Sequence, residues 1–119
     1  MKLDKYTRQY LETAIWSSTD DSGEPLDQSY SMDNLSTESI ELAKKHVAAF
    51  LEKSGALLDA YDCETAMHDF WLTRNRHGAG FWNGLYDKVD GERLTEISHF
   101  FGEISLYVGD DGQLYFEGV

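Results

Sequence analysis

The apolar residues of this chain recur at two different spacings, and the order of those spacings constrains the fold more than any other feature. Spacings of three and four residues, typical of amphipathic helices, occur over 4–17, 36–61 and 90–101. Alternation, typical of strands, occurs over 68–82 and 104–116. The sequence therefore predicts an α+β domain in which three helices pack on a small antiparallel sheet made of two hairpins, in the order α-α-ββ-α-ββ.

Length and cysteine content limit the domain organisation. The 119 residues suit one domain spanning 1–119, and a single cysteine, Cys63, cannot form an internal disulfide. The sequence has neither a charged-then-apolar leader nor an apolar run of the roughly 18 residues that a membrane-spanning helix needs. Because 41% of the residues are hydrophobic, a packed core is expected rather than disorder. We predict a cytoplasmic protein without a membrane segment.

Polar and small residues mark the ends of the predicted elements. Ser36 is suited to cap the second helix, and Gly102 is suited to end the third. Gly55 weakens the second helix without ending it, so the apolar stripe is expected to continue to position 61. The run 109–112 predicts the turn of the second hairpin.

A long acidic loop is predicted at about 18–35, between the first two helices. Its acidic residues are Asp20, Asp21, Glu24, Asp27 and Asp33. Because like charges repel, we expect a solvated and relatively mobile segment unless a cationic partner orders it. Leu26, Tyr30 and Met32 are the apolar residues that can anchor it to the core.

The net charge of −12 bears directly on the partners of this protein. A chain with 22 acidic and 10 basic residues repels nucleic-acid phosphates, so direct nucleic-acid binding is disfavoured and a protein with a basic surface is the expected partner. Acidity can also serve only to keep a small protein in solution. The candidate carboxylate surface comprises the five loop residues with Glu92, Glu96, Glu103, Asp110 and Asp111.

The first predicted hairpin forms a second candidate surface. The block 67–89 has 3 basic and 2 acidic residues, whereas the chain as a whole is acidic. Alternation predicts that Phe70 and Leu72 face the core while Trp71 and Thr73 face the opposite side. Aromatic and arginine side chains are typical of interface hot spots. The predicted partner-binding residues of this block are Trp71, Arg74, Asn75, Arg76, His77 and Trp82.

The same block offers a catalytic alternative. His68, Asp69 and His77 carry proton-transfer groups, which would suit a small hydrolase or nucleotide-modifying enzyme. Local hydrogen bonding and packing explain the same residues without catalysis. No cofactor is predicted. The metal sites are incomplete, because a calcium loop that includes Asp20, Ser22 and Gly23 has Ser29 where the bidentate glutamate is needed, and because zinc lacks a third ligand. A third hypothesis is that the protein is a homo-oligomeric structural module.

Several motifs together resemble one protein family. Segments 11–21, 23–27, 68–75, 77–82 and 106–112 read LETAIWSSTDD, GEPLD, HDFWLTRN, HGAGFW and LYVGDDG. They are similar to a family of small acidic proteins, uncharacterised in function, of tailed bacteriophages and related mobile elements. The resemblance covers nearly the whole chain and departs from the family pattern at Arg76, where that pattern favours glycine. It implies a phage product acting inside an infected bacterium.

These observations lead to one prediction of function. We predict a non-enzymatic phage protein that binds and modulates or inhibits a host protein, one that processes nucleic acid, by DNA mimicry. The predicted contacts are the carboxylates Asp20, Asp21, Glu24, Asp27, Asp110 and Asp111 together with the aromatic hairpin.

Overall fold

A computed structural model describes residues 4–20, 22–76, 80–81 and 86–118, apart from the side chain of Cys63. The helices are α1 (Lys5–Ser17), α2 (Thr37–Ser54), α3 (Cys63–Arg74) and α4 (Lys88–Phe100), and the strands are β1 (Ile104–Val108) and β2 (Leu114–Gly118). The two strands form an antiparallel sheet. The predicted α+β class is confirmed, whereas the predicted order is wrong because a helix replaces the first hairpin.

The start of α1 and the start of α2 both follow from capping side chains. The Asp4 carboxylate accepts hydrogen bonds from the backbone N–H groups of Tyr6 and Thr7, as expected at a helix N-terminus. Ser36 caps α2 by accepting from the Ser39 N–H at 3.1 Å. The backbone N–H of Ser36 also donates to the Leu114 carbonyl, which ties α2 to β2. Both predicted helix starts are confirmed.

Helix α2 ends earlier than its apolar stripe predicts. Gly55 has a φ of +48°, in the left-handed region that glycine adopts without a steric penalty. The chain continues from this point as a short 3₁₀ turn, Gly55–Leu58, which still buries Leu58. The predicted continuation of the helix to position 61 is therefore wrong. The apolar residues after Gly55 still face the core, but they do so from a 3₁₀ turn and not from the α-helix.

Helix α3 occupies the segment in which the sequence predicted the first strand of a hairpin. Asp62 caps it by accepting from the Thr65 N–H at 2.9 Å. Phe70, Trp71, Leu72 and Thr73 are all buried, so the alternation that predicted a strand does not separate an inner from an outer face. Residues 69–74, the second half of α3, are buried on every side of the helix and have no polar stripe to reveal a helical period. It packs against α1 and α4, and Phe70 stacks on Phe50 of α2.

The final helix and the second hairpin agree with the sequence prediction. Helix α4 ends near Gly102, whose φ is +75° and whose N–H donates to the His99 carbonyl. In the hairpin, Leu106 lies opposite Phe116 and Tyr107 lies opposite Tyr115. Leu106 is buried and Tyr107 is exposed, which is the alternation expected of a sheet with one covered face.

Anchoring of the 18–35 loop also agrees with the prediction. Leu26 is 1% exposed, and Tyr30 and Met32 pack partly buried against the core. The chain forms two short 3₁₀ turns there, Leu26–Gln28 and Met32–Asn34. These contacts hold the two 3₁₀ turns of the loop against α1.

Candidate functional site

Trp71, predicted to be a partner anchor, lies in the core. It is 2% exposed, and its ring packs edge-on against Tyr10 with centroids 5.4 Å apart. The indole Nε1–H donates to the Ser17 Oγ at 2.7 Å, which satisfies its one polar group. The prediction that Trp71 binds a partner is therefore wrong, because α1 covers the residue.

Arg74 is also buried, and its guanidinium joins three helices. Nε donates to the Gly102 carbonyl at 2.9 Å and Nη2 to the Phe101 carbonyl at 3.0 Å. Nη1 donates to the Tyr10 hydroxyl at 3.0 Å and lies 2.8 Å from His46 Nδ1. The cation thus sits at the negative end of the α4 dipole. Its predicted role at a binding surface is wrong, since the residue is 0% exposed.

His46 is a member of this cluster that the sequence did not single out. Arg74 is a permanent donor, so His46 Nδ1 is the acceptor and the proton of the neutral ring lies on Nε2. Partial burial first, and then the positive charge of Arg74, lower the pKa of His46 to about 4. The folded protein therefore holds His46 neutral at physiological pH.

The lowered pKa of His46 predicts a loss of stability in acid. Above pH 6.5 the ring is neutral in both states, whereas between about 6.5 and 4 the unfolded chain binds a proton that the folded chain excludes. After discounting for the half-exposed position, we expect this group to cost about 1–2 kcal/mol over that range. Urea unfolding of wild type and His46→Gln at pH 7 and pH 4.5 measures the difference. Equal losses in the two proteins would contradict it.

The other residues predicted as partner contacts in the block 67–89 differ in their surroundings. Asn75 holds the end of α3, since its Nδ2 donates to the Trp71 carbonyl and its Oδ1 accepts from the Ile104 N–H. Arg76 is exposed and available to a partner. The predicted contacts Asp21, His77 and Trp82 lie outside the described residues.

The backbone conformation of Arg76 is unfavourable for a residue that carries a Cβ. Its φ is +56°, the left-handed region in which a Cβ is unfavourable by about 1 kcal/mol. We expect Arg76→Gly to raise the free energy of unfolding by about 0.5–1 kcal/mol. Chemical denaturation measures the change, and Arg76→Lys, which keeps the charge and the Cβ, is the matched control. A destabilised glycine variant would contradict the backbone argument.

The catalytic alternative is not assembled in the described part of the chain. His68 Nδ1 lies 3.0 Å from the Thr13 hydroxyl, and its ring packs near Trp16. Asp69 instead points to the interior and accepts from the Tyr86 hydroxyl at 2.7 Å, and burial raises the pKa of its carboxyl. Neighbouring helical positions point about 100° apart, so the two groups do not converge.

Asp20, at the start of the acidic loop, is held by local hydrogen bonds. Its Oδ1 accepts from the Ser22 hydroxyl at 2.6 Å and from the N–H groups of Ser22 and Glu24. These hydrogen bonds, the Ser22 hydroxyl foremost, lower the pKa of the carboxyl. Glu24 and Asp27 are exposed, as the sequence predicts. Asp20 is thus a fixed negative charge at the start of the loop.

The outer face of the β1–β2 hairpin carries a stacked tyrosine pair, in which Tyr107 is exposed and Tyr115 is partly buried. The rings of Tyr107 and Tyr115 stack with centroids 5.9 Å apart, and Tyr107 is 42% exposed. The Tyr115 hydroxyl donates to Asp111 Oδ2 at 2.5 Å. This hydrogen bond lowers the pKa of Asp111 and raises the pKa of Tyr115 to about 12. Asp110, beside it in the turn, is exposed.

Carboxylates from separate segments surround this pair. Asp20 and Tyr107 line one recess of about 270 Å³, with Tyr30 and Val108. Glu38, in the first turn of α2, is close enough to Tyr115 to raise its pKa electrostatically. We call the group Asp20, Glu38, Tyr107, Asp111 and Tyr115 the tyrosine face. Of these five residues, Asp20 and Asp111 were predicted from the sequence as partner contacts, whereas Glu38, Tyr107 and Tyr115 were not, although strand alternation places the two tyrosines on one side of the sheet.

Comparisons with known proteins identify no relative of this chain from which a function could be taken. No protein-family model matches the chain, and no curated protein and no solved structure is significantly similar to it. Within 4–20, 22–76, 80–81 and 86–118, no helix is both long and apolar enough to cross a membrane. In the same part of the chain, no three His, Cys, Asp or Glu side chains lie close enough to share a metal ion.

Proposed function

We propose that this protein binds a basic surface of a bacterial host protein through the tyrosine face and that it acts without catalysis. One observation carries the proposal: a stacked tyrosine pair, with Tyr107 exposed, lies near carboxylates that come from the acidic loop, α2 and the hairpin turn. A host protein that processes nucleic acid has a basic surface of the required kind, and carboxylates on this face would occupy it in place of phosphates.

The two residue types of the face contribute differently to binding. Fixed carboxylates such as Asp20 and Asp111 steer a basic partner and accelerate association. Tyrosine supplies a large contact area at a low cost in conformational entropy, because its side chain has only two rotatable angles. Tyr107 is therefore the expected anchor, since it is the more exposed ring of the pair.

The test compares two variants with the same change in charge. Asp20→Asn, Glu38→Gln and Asp111→Asn together neutralise the face while keeping an acceptor oxygen at each position. The control neutralises three exposed carboxylates elsewhere, through Glu52→Gln, Asp59→Asn and Glu64→Gln. A stoichiometric partner is first recovered from a bacterial lysate at low salt and identified, and its association rate with each variant is then measured.

We expect the face variant to associate about tenfold more slowly than wild type at low salt, and the control to differ by about twofold or less. The difference should shrink at high salt, because ions screen exposed charges. Equal slowing by both variants would mean that net charge alone drives association, and the tyrosine face would then lose its role. Failure to recover any partner would remove the support for a host target.

A further inference from the structure

The outward side of α4 carries two large apolar side chains that the fold does not cover. Val89 is 70% exposed and Phe100 is 72% exposed, the highest values among the large apolar residues in the described part of the chain. They are eleven residues apart, close to three helical turns, so they lie on one side of the helix. The buried side of α4 consists of Gly91, Leu94 and Ser98. Helix α4 therefore presents an apolar stripe at the surface.

Two charged residues lie between the apolar ends of this stripe. Arg93 and Glu96 are four and seven positions after Val89, so the stripe 89, 93, 96 and 100 has spacings of four, three and four. These are the spacings of residues that meet in the seam between two packed helices. Both charged residues are exposed, and neither forms an ion pair with another described residue. The stripe thus has the pattern of a helix–helix contact.

The Phe100 ring is held in place although it is exposed. The Lys53 ammonium lies 4.2 Å from its centroid, and the Phe101 ring packs edge-on with centroids 5.8 Å apart. At the other end of the stripe, Val89 borders a groove of about 470 Å³ between α4 and the end of α2, which Leu57 also lines. A fixed aromatic side chain and an open groove, at opposite ends of one helix, are complementary features.

The positions of these residues favour a second copy of the chain as the occupant of the stripe. Val89 and Phe100 share their midpoint with Arg93 and Glu96, between positions 94 and 95. A twofold axis through that point places Val89 opposite Phe100 of the second copy and Arg93 opposite its Glu96, because the two helices then run antiparallel. One register therefore gives two apolar contacts and two ion pairs. A parallel pairing would instead place Arg93 beside Arg93 of the second copy.

We propose that this protein forms a twofold-symmetric homodimer in which the α4 helices pack antiparallel, with Phe100 of each copy against Val89 of the other. Arg93 and Glu96 pair across the interface and set its register, whereas apolar burial supplies most of the affinity. A 13-residue helix is about 20 Å long, so the interface is small and we expect a dissociation constant of about 10–100 µM. No residue of the tyrosine face lies on α4, so the dimer does not depend on host binding.

Self-association is measured first, by sedimentation velocity of the full chain from about 5 µM to about 1 mM. Physiological ionic strength is used, because the net charge of −12 on each copy opposes association at low salt. We expect the mass to rise with concentration from monomer to dimer. A chain that stays monomeric throughout would overturn the proposal, as would larger oligomers, because a twofold contact closes at two copies.

Charge reversal tests the register. Arg93→Glu places glutamates opposite each other in the homodimer and Glu96→Arg places arginines opposite each other, so each variant alone should raise the dissociation constant about tenfold or more. An equal mixture of the two variants restores both ion pairs, and its heterodimer should bind within about threefold of wild type. If mixing does not restore association, the antiparallel register is wrong.

A matched control separates this effect from net charge. Lys45→Glu and Glu64→Arg change the charge by the same amounts at exposed positions outside α4. Each should leave the dissociation constant within about twofold, and so should their mixture. Equal effects of the two sets of variants would show that net charge alone controls association, and the proposal would be overturned.

Truncation tests the apolar part of the interface. Val89→Ala with Phe100→Ala should raise the dissociation constant about tenfold or more, whereas Trp16→Ala, which removes an exposed ring outside α4, should change it about twofold or less. Circular dichroism verifies that every variant is folded. The triple variant that neutralises the tyrosine face should dimerise like wild type. A dimer that survives the double truncation, or that is lost in the tyrosine-face variant, would place the contact elsewhere and overturn the proposal.

Discussion

Replacing Arg74 by methionine is expected to lower the free energy of unfolding by about 3–5 kcal/mol, a large part of the roughly 5–15 kcal/mol that stabilises a typical domain. Methionine has a similar reach, but it cannot donate to the carbonyls of Phe101 and Gly102 or to the Tyr10 hydroxyl. Each buried acceptor left without a donor costs about 1–3 kcal/mol. Urea denaturation measures the loss.

Two controls make the Arg74 prediction specific. Arg8→Met removes an exposed arginine that pairs with Glu12 at 2.8 Å, and it should cost less than about 1 kcal/mol. Arg74→Met should also raise the pKa of His46 from about 4 toward 6.5, because a neighbouring positive charge is removed. A loss below about 1 kcal/mol with an unchanged His46 pKa would show that the guanidinium does not join the helices as described.

The sequence could predict the elements that have one covered and one open face. Helix α1 shows a stripe of buried residues and has its cap at Asp4, and the second hairpin alternates between buried Leu106 and exposed Tyr107. In both cases the side that faces water carries polar residues, and their spacing along the sequence distinguishes a helix from a strand. Such elements are predictable without knowledge of their neighbours.

Helix α3 could not be identified in this way, because it is covered by other elements. Phe70, Trp71 and Leu72 are consecutive and all buried, so the second half of the helix shows no polar face of helical period. Arg74 also favoured the wrong prediction, because arginine normally lies at a protein surface. Here its buried guanidinium donates a hydrogen bond to the Phe101 carbonyl at the C-terminus of α4. The available signal was local: Asp62 followed by Thr65 at the spacing of an N-terminal cap.

The candidate site shows the same division between local and long-range information. Asp20 and Asp111 lie in segments whose composition predicts turns at the surface, and Asp20 is partly exposed whereas Asp111 is exposed. The approach of Glu38 to Tyr115 depends on the packing of α2 against β2, which joins segments far apart in the chain. Sequence patterns could therefore identify the acidic turns but not the surface that they form together.

Replacing Trp71 by alanine is expected to cost about 3–5 kcal/mol, because it opens a cavity between α1 and α3 where Tyr10 and Phe116 now contact the indole. Trp16→Ala is the matched control, since Trp16 is 57% exposed and its truncation should cost less than about 1 kcal/mol. Chemical denaturation of both variants measures the difference.

The hydrogen bond of Trp71 can be separated from its packing. Trp71→Phe keeps most of the ring but loses the bond to Ser17, and Ser17→Ala leaves the indole N–H without its acceptor, so each should cost about 1–2 kcal/mol. The double variant should cost less than the sum of the two, because the bond can be lost only once. Additive costs would contradict the hydrogen bond. A loss of less than about 1 kcal/mol in Trp71→Ala would contradict the burial of Trp71, because only an exposed tryptophan can be truncated without leaving a cavity. Trp71 would then again be a candidate for the binding surface.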